Sequence, residues 1–331
     1  MTEHDVDLLL VGAGPSGLYG AYYAGFRGLA SAVIDALPEP GGQVTALYPE
    51  KQIFDIAGFP AVRGKDLVQN LLAQAAPFAP TYLLGEQAVS YQHTGDGVVI
   101  TTAAGTIVRA KAVVVTGGIG TFTPRPLPGG DGWEGRGLSY VVPSFAPYAG
   151  KDVVVVGGGD SALDWALGLE PIARSVTLVH RRDAFRAHAH SVKLLRDASI
   201  ALCVPAQVVG LSGTERVEAV RVRSTETKQV TELPAQEVVA ALGFTADITP
   251  LEAWGLDVRE RRLVVDTTMA TNLPRVFAAG DITDYPGKVR LISVGFGEVA
   301  TAVCNAATVI DPEATVFPGH STELQGEGPA A

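Results

Sequence analysis

The chain has 331 residues, enough for about two domains that each build a core. Its formal charge of −10, with no basic tract, argues against general binding to nucleic acid or anionic membranes. The polar start Met1–Asp7 lacks the pattern of a secretory signal, and no uninterrupted apolar run approaches the ~20 residues of a membrane helix, so the expectation is a cytoplasmic protein.

The first element is an apolar strand, Leu8 to Val11, running into Gly12-Ala13-Gly14-Pro15-Ser16-Gly17. In such a strand–turn–helix unit the first glycine allows the bend and the second lets backbone approach a pyrophosphate. The third packs helix on strand. The next apolar strand, Ala32-Val33-Ile34, ends in Asp35, 18 residues past Gly17. A carboxylate there accepts hydrogen bonds from a ribose diol and repels a 2′-phosphate, so this site suits FAD or NAD and disfavours NADP.

A helix is predicted from Lys65 to Ala76, with Leu67, Val68, Leu71 and Leu72 at helical spacing, and strands at Val98–Thr102, Thr106–Val108 and Ala112–Thr116. The stretch Gly117 to Gly137 is rich in Gly and Pro and reads as a connection.

A second unit opens at Val153–Val156, followed by Gly157-Gly158-Gly159-Asp160-Ser161-Ala162, with alanine at the position where the fingerprint accepts Gly or Ala. A helix is expected over 161–169, then a strand, Val176–Val179, that ends in no acid. It ends in His180-Arg181-Arg182, with Arg186 beyond. Guanidinium groups pair bidentately with phosphate oxygens, so this turn suits a 2′-phosphate and implies NADP(H). A helix over Arg186–Ala198 and strands at Gln207–Leu211, Val217–Arg223 and Glu237–Ala241 complete this region.

After Ala241-Leu242-Gly243 the chain reaches a strand ending in Ala279-Gly280-Asp281, a helix over Gly297–Val309 and a polar tail from Pro318 whose last residues, Gly326 to Ala331, are expected to be disordered. The segment makes most sense if it returns to the first domain. The two cysteines, Cys203 and Cys304, stand apart in apolar contexts and read as small buried hydrophobes, and there is no CxxC or metal-ligand spacing.

The paired fingerprints together with Gly41-Gly42-Gln43, Thr116-Gly117-Gly118, His180-Arg181-Arg182 and Ala279-Gly280-Asp281 resemble the thioredoxin-reductase-like flavoproteins over nearly the whole chain. The resemblance implies an α/β fold of two Rossmann-like, three-layer ββα domains. It puts FAD on a discontinuous domain, residues 1–118 and 245–331 with an extension over 311–331, and NADP(H) on an inserted domain, residues 119–244. Thioredoxin reductases carry a redox-active CxxC just before the second fingerprint, where this chain has Val141 and Ser144. Without a thiolate there is no mixed disulfide, so thioredoxin reduction by this route is excluded.

The branch that fits is the ferredoxin–NADP(+) reductases of this family, which the chain is similar to in Gly159–Ala166, Phe185–His188, Gly295-Phe296-Gly297-Glu298 and His320-Ser321-Thr322. By resemblance, Gly12, Gly14, Ser16, Gly17 and Asp35 hold the ADP half of FAD and Asp281 its ribitol or phosphate region. Gln43 reaches the flavin ring. Tyr48 is a candidate to stack on that ring, and Ala88 and Phe122 are wall residues. Thr322, in the extension, would cover the flavin of the partner subunit in a homodimer. Gly157, Gly159, Asp160, Ser161, Ala162, His180, Arg181, Arg182 and Arg186 are assigned to NADPH. The two crossings, Gly117–Arg125 and Leu242–Asp247, carry glycines that could act as hinges.

The implied enzyme is an oxidoreductase for electron transfer, exchanging a hydride between NADPH and FAD and single electrons with ferredoxin or flavodoxin. No acid or base is nominated, because the flavin carries the chemistry. Ferredoxins are acidic, so a local basic patch, with Arg63, Lys65, Lys193 and Arg196 as candidates, would have to offset the net charge. The rival readings are an NADPH-dependent reductase of a quinone or oxygen and a non-catalytic NADP(H)-sensing flavoprotein.

Overall fold

In the computed structural model, which describes residues 2–320, the apolar run near the start forms the C-terminal half of a strand, Glu3–Val11, whose Leu8, Leu9 and Leu10 are fully buried. A stretch covered on both faces is apolar on both, which is why Leu8–Leu10 show no alternation while the more exposed start of the strand, with Glu3, His4, Asp5 and Asp7, stays polar. It pairs in parallel with Ser31–Asp35 on one side and Ile107–Val115 on the other. Thr81–Leu84 extends the sheet beyond Ser31–Asp35, and Val276–Ala278 adds a further parallel strand against residues 113–115. The late part of the chain thus returns to the first sheet. The N-terminal half of Ile107–Val115 pairs antiparallel with Val98–Thr102, which pairs with Ala88–His93. Helices Pro15–Phe26, Gly64–Ala75 and Ile292–Ile310 belong to this unit, which comprises the chain up to Ala46, Gln52–Phe122 and Ala246 onward.

The second compact unit comprises Leu47–Lys51 and Thr123–Thr245 and repeats the plan. Its five-stranded parallel sheet runs Leu138–Ser139, Glu237–Ala240, Asp152–Val156, Ser175–Val179, Ala201–Cys203. An antiparallel meander, Ala206–Gly213, Val217–Ser224 and Val230–Pro234, accompanies it. Each unit is therefore a parallel sheet with helices and a three-stranded or partly shared antiparallel layer, the two-Rossmann α/β class.

Several elements depart from the sequence reading. The strands expected at 106–108 and 112–116 are one strand, Ile107–Val115, because Arg109 and Lys111 point outward and pair with Glu3 and Asp7. The helix after the basic turn is Ala189–Asp197 and does not begin at Arg186. Before it starts, the Arg186 N–H donates to the Gly158 carbonyl at 2.7 Å and the His188 N–H to Asp160 Oδ1 at 2.9 Å, which ties this segment to the glycine loop.

The last helix starts at Ile292, five residues earlier than expected. Its Gly295, a poor helix former in isolation, packs so closely on Ser16 that a side-chain carbon there would stand 2.4 Å from the Ser16 hydroxyl. At 19 residues this helix is long and apolar enough to cross a membrane by length and composition. It buries Val299, Ala302, Val303 and Ala306 in the core of the first unit, with Glu298 buried among them. It is a core helix there.

Candidate dinucleotide sites

In the first unit, Gly12 has φ +122°, and a side-chain carbon on it would lie 2.4 Å from the Thr116 carbonyl oxygen. The Thr116 hydroxyl donates to the Gly12 carbonyl at 2.7 Å, so the Thr116-Gly117-Gly118 turn closes over the fingerprint. Gly17 faces the Gly12 carbonyl so closely that a side-chain carbon would stand 1.8 Å from it. Gly14 precedes the helix with open space above its Cα, and no side chain caps that helix among the described residues. Its first-turn N–H groups are left for an anion.

Asp35 accepts the Ala13 N–H at 2.6 Å and the Leu37 N–H at 2.8 Å, one on each oxygen. Burial pushes its pKa up, and these two bonds oppose the rise. The carboxylate fastens the end of the second strand to the glycine loop and keeps lone pairs for a diol.

The Gly41-Gly42-Gln43 turn is joined to the same loop. The Gly41 N–H donates to the Ala13 carbonyl at 2.8 Å, and Gln43 begins a short helix, Gln43–Leu47, with its amide beside Gly118. Gly280, φ +82°, faces the Ser16 hydroxyl, which places Asp281 next to the fingerprint. The structure thus brings Gly12, Gly14, Ser16, Gly17, Asp35, Gln43 and Asp281 into one neighbourhood.

A buried cluster that the sequence reading missed fixes the Gly280–Asp281 turn. Glu298 Oε2 accepts the Gly280 N–H at 2.7 Å, its other oxygen accepts the Tyr285 hydroxyl and the Lys288 ammonium, and Lys288 also donates to the Gly280 carbonyl at 3.0 Å. Lys288 and Glu298 side chains are 3% and 5% exposed. Burial and the Glu298 charge push the Tyr285 pKa up to about 12. A lone acid within an apolar helix was the available signal for Glu298, whereas nothing local marked Lys288.

The remaining first-site candidates stand differently. Ala88 is a buried core residue at the start of its strand, in register with Thr102 of the neighbouring strand. Phe122 is half-buried on the short strand Thr121–Pro124. Tyr48 falls in the Leu47–Lys51 segment that groups with the second unit, where it packs against the cluster containing Val142, Tyr148 and Trp165. Thr322 and Ser321 lie outside the described residues. Just before them, Arg27 donates to the carbonyls of Thr315 and Val316 at 2.7 and 3.0 Å.

In the second unit, Gly157 to Ser161, His180, Arg181, Arg182 and Arg186 line one cavity of about 910 Å³. Gly157, φ +155°, could carry no side chain without meeting the Ala241 carbonyl at 2.4 Å. Ala162 is fully buried beneath Gly157 and packs helix on strand without reaching the cavity.

The His180 ring lies directly under Gly158 and is stacked on Phe185 with centroids 5.6 Å apart. Burial lowers its pKa, and Arg181, Arg182 and Arg186 add to the effect. The lining holds five guanidinium groups, those of Arg125, Arg181, Arg182, Arg186 and Arg223, against one carboxylate, Asp160. Arg125 and Arg223 were not singled out from the sequence, since one sits in a Gly/Pro stretch and the other on an alternating strand. Of the basic candidates elsewhere, Arg63 pairs with Asp66 at 2.9 Å.

Val141 and Ser144 occupy the positions just before this sheet where a dithiol would act. Both free thiols lie elsewhere, Cys203 on the strand Ala201–Cys203 and Cys304 on the helix Ile292–Ile310. Burial raises both pKa values, which keeps them protonated and poorly nucleophilic.

Two glycine-loop sites, one closed by an acid and one by a basic turn, each on its own ββα unit, define an oxidoreductase that works with two dinucleotides. A pyridine nucleotide-disulphide oxidoreductase profile matches residues 6–306, and the chain belongs to that family. It is 64% identical over 96% of its length, and 97% of the relative's, to a ferredoxin–NADP reductase of Nocardioides sp.. It is 47% identical over 99% of its length to one of Thermus thermophilus, matched along 100% of that protein. Among solved structures, thioredoxin reductase of T. acidophilum superposes with a TM-score of 0.78 at 25% identity, covering 92% of this chain and 98% of that one.

Proposed function

We propose that this chain is an FAD-dependent ferredoxin–NADP(+) reductase that works in the cytoplasm as a homodimer. The observation that carries the reading is the retention of both nucleotide sites in a chain without a dithiol at 141–144. The electrons must therefore leave the flavin for an external carrier without passing through a disulfide. The curated relatives named ferredoxin–NADP reductase match along nearly their whole length.

The residues fit both groups. In the first unit the open space at Gly14, the uncapped helix and the Asp35 carboxylate suit the pyrophosphate and ribose of FAD. Asp281 and Gln43, both beside the same loop, would meet the remainder. In the second, the cavity's excess of guanidinium over carboxylate suits the phosphates of NADP(H). Bound FAD supplies the redox chemistry, exchanging a hydride with NADP(H) and single electrons with the carrier.

The protein's own work is to bind and orient. Gly157–Ser161 present backbone N–H groups to the pyrophosphate. Arg181, Arg182 and Arg186 hold the 2′-phosphate, and the Lys288–Glu298 pair keeps the Gly280–Asp281 turn in place. Ferredoxin is the carrier, with flavodoxin able to substitute at the same surface, and the reaction runs toward NADPH when reduced ferredoxin is in excess. The test is steady-state reduction of cytochrome c by NADPH with and without ferredoxin, and of a disulfide reporter with thioredoxin. The reading requires ferredoxin-dependent turnover and none through thioredoxin.

A further inference from the structure

The basic turn supplies three guanidinium groups, yet the same cavity contains a fourth at that end, on a different layer of the unit. Arg223 sits on the central strand of the meander, Val217–Ser224, where it is paired across from Gln207. That register fixes its neighbourhood. The adjacent pair is Ala206 and Ser224, and the Ala206 N–H donates to the carbonyl of His180 at 2.8 Å. Arg223 is thus one residue pair removed from the backbone that carries Arg181.

Along its strand Val222 is buried and Arg223 exposed, and Arg223 lines the cavity together with Gln207. The opposite end of the cavity is marked by Arg125, whose N–H donates to the Gly243 carbonyl at 3.0 Å beyond the strand Glu237–Ala240. Because Glu237–Ala240 and Ser175–Val179 flank Asp152–Val156 on opposite sides, the two arginines lie toward opposite halves of the nucleotide.

Resting on the assignment of this cavity to NADP(H), we infer that Arg223 is a fourth guanidinium contact to the 2′-phosphate and a determinant of selectivity for NADP(H) over NAD(H). A 2′-phosphate carries close to two negative charges and three acceptor oxygens, each with more than one lone pair, so a fourth fork adds bonds without displacing the first three. The side chain is on the solvent side of its strand, so its truncation leaves no hole in the core.

The test is calorimetric titration of the FAD-loaded protein with 2′,5′-ADP and with 5′-AMP, which share adenine, ribose and the 5′-phosphate and differ in the 2′-phosphate. Arg223→Ala should bind 2′,5′-ADP about tenfold more weakly and 5′-AMP within about twofold of wild type. Arg223→Lys, which keeps the charge and loses the fork, should fall between. Arg223→Gln is read in place of alanine if the alanine protein unfolds. Equal weakening toward both ligands would mean that the guanidinium meets the adenine, ribose or 5′-phosphate that they share, and unchanged affinity for 2′,5′-ADP that it meets nothing; either overturns the inference while the nucleotide assignment stands. A wild-type protein that does not prefer 2′,5′-ADP to 5′-AMP would overturn both.

Discussion

Replacing Gly17 by alanine tests whether the first fingerprint works by close approach. The added carbon would stand 1.8 Å from the Gly12 carbonyl and 2.8 Å from the Thr116 hydroxyl, whereas real contacts of this kind do not fall below 3.0 Å. The first obstacle is backbone and cannot rotate away, so the helix Pro15–Phe26 must withdraw from the strand by more than an ångström. Overpacking of this kind costs about 1–3 kcal/mol or more in stability. The larger effect falls on the ligand, because the withdrawal carries the first-turn N–H groups away from the pyrophosphate. Each lost charge-assisted bond is worth about 1.5–3 kcal/mol, or roughly ten- to a hundredfold in FAD affinity. Ala162→Gly at the corresponding place in the second unit should cost only about 1 kcal/mol of helix stability and leave NADPH affinity near wild type. The assay is the FAD-to-protein ratio of the purified variants, followed by fluorescence titration of the apoprotein. A Gly17→Ala protein that keeps stoichiometric FAD with wild-type affinity would refute the close-approach reasoning.

Other perturbations have equally definite outcomes. Arg181→Ala or Arg182→Ala should raise KM for NADPH about 10- to 100-fold with kcat/KM for NADH little changed, as steady-state kinetics with both nucleotides would show. Lys288→Met leaves the Glu298 charge buried without its cation, so unfolding monitored calorimetrically should show a loss of about 3–5 kcal/mol, largely recovered in the Lys288→Met, Glu298→Gln double variant. Its failure to recover would assign the cost to packing. His180, held neutral by burial and three arginines, should titrate below the ordinary 6.5 in the free enzyme. Its folded pKa lies below the unfolded one, so the stability it contributes is present above about 6.5 and lost as pH falls through the folded value. A bound 2′-phosphate should raise that pKa, and NMR titration with and without 2′,5′-ADP reads the shift.

The parts of the fold legible in the sequence were those fixed by local chemistry. Leu8–Val11 and Val153–Val156 are apolar on both faces because a parallel strand is covered on both, and the glycines that follow are where backbone meets backbone. Asp35 and the His180–Arg182 turn stood out because charge at a strand end has few structural reasons. The start of the last helix was hidden because Gly295 and Gly297 weaken the helical pattern while close packing on Ser16 demands a glycine at 295. The Lys288–Glu298 pair was hidden because its partners are ten residues apart across a turn, and Arg223 because only strand register sets it beside His180. Side chains brought together by register leave no periodic trace.

The most direct test of the central claim is anaerobic stopped-flow absorbance with sequential mixing, first with NADPH and then with oxidised ferredoxin. The account predicts rapid bleaching of the flavin band followed by rapid reoxidation with ferredoxin, and no reoxidation when thioredoxin disulfide replaces it. Bleaching without transfer to ferredoxin would contradict the proposed acceptor, and reoxidation by thioredoxin disulfide would contradict the claim that thioredoxin reduction needs the dithiol this chain lacks at 141–144.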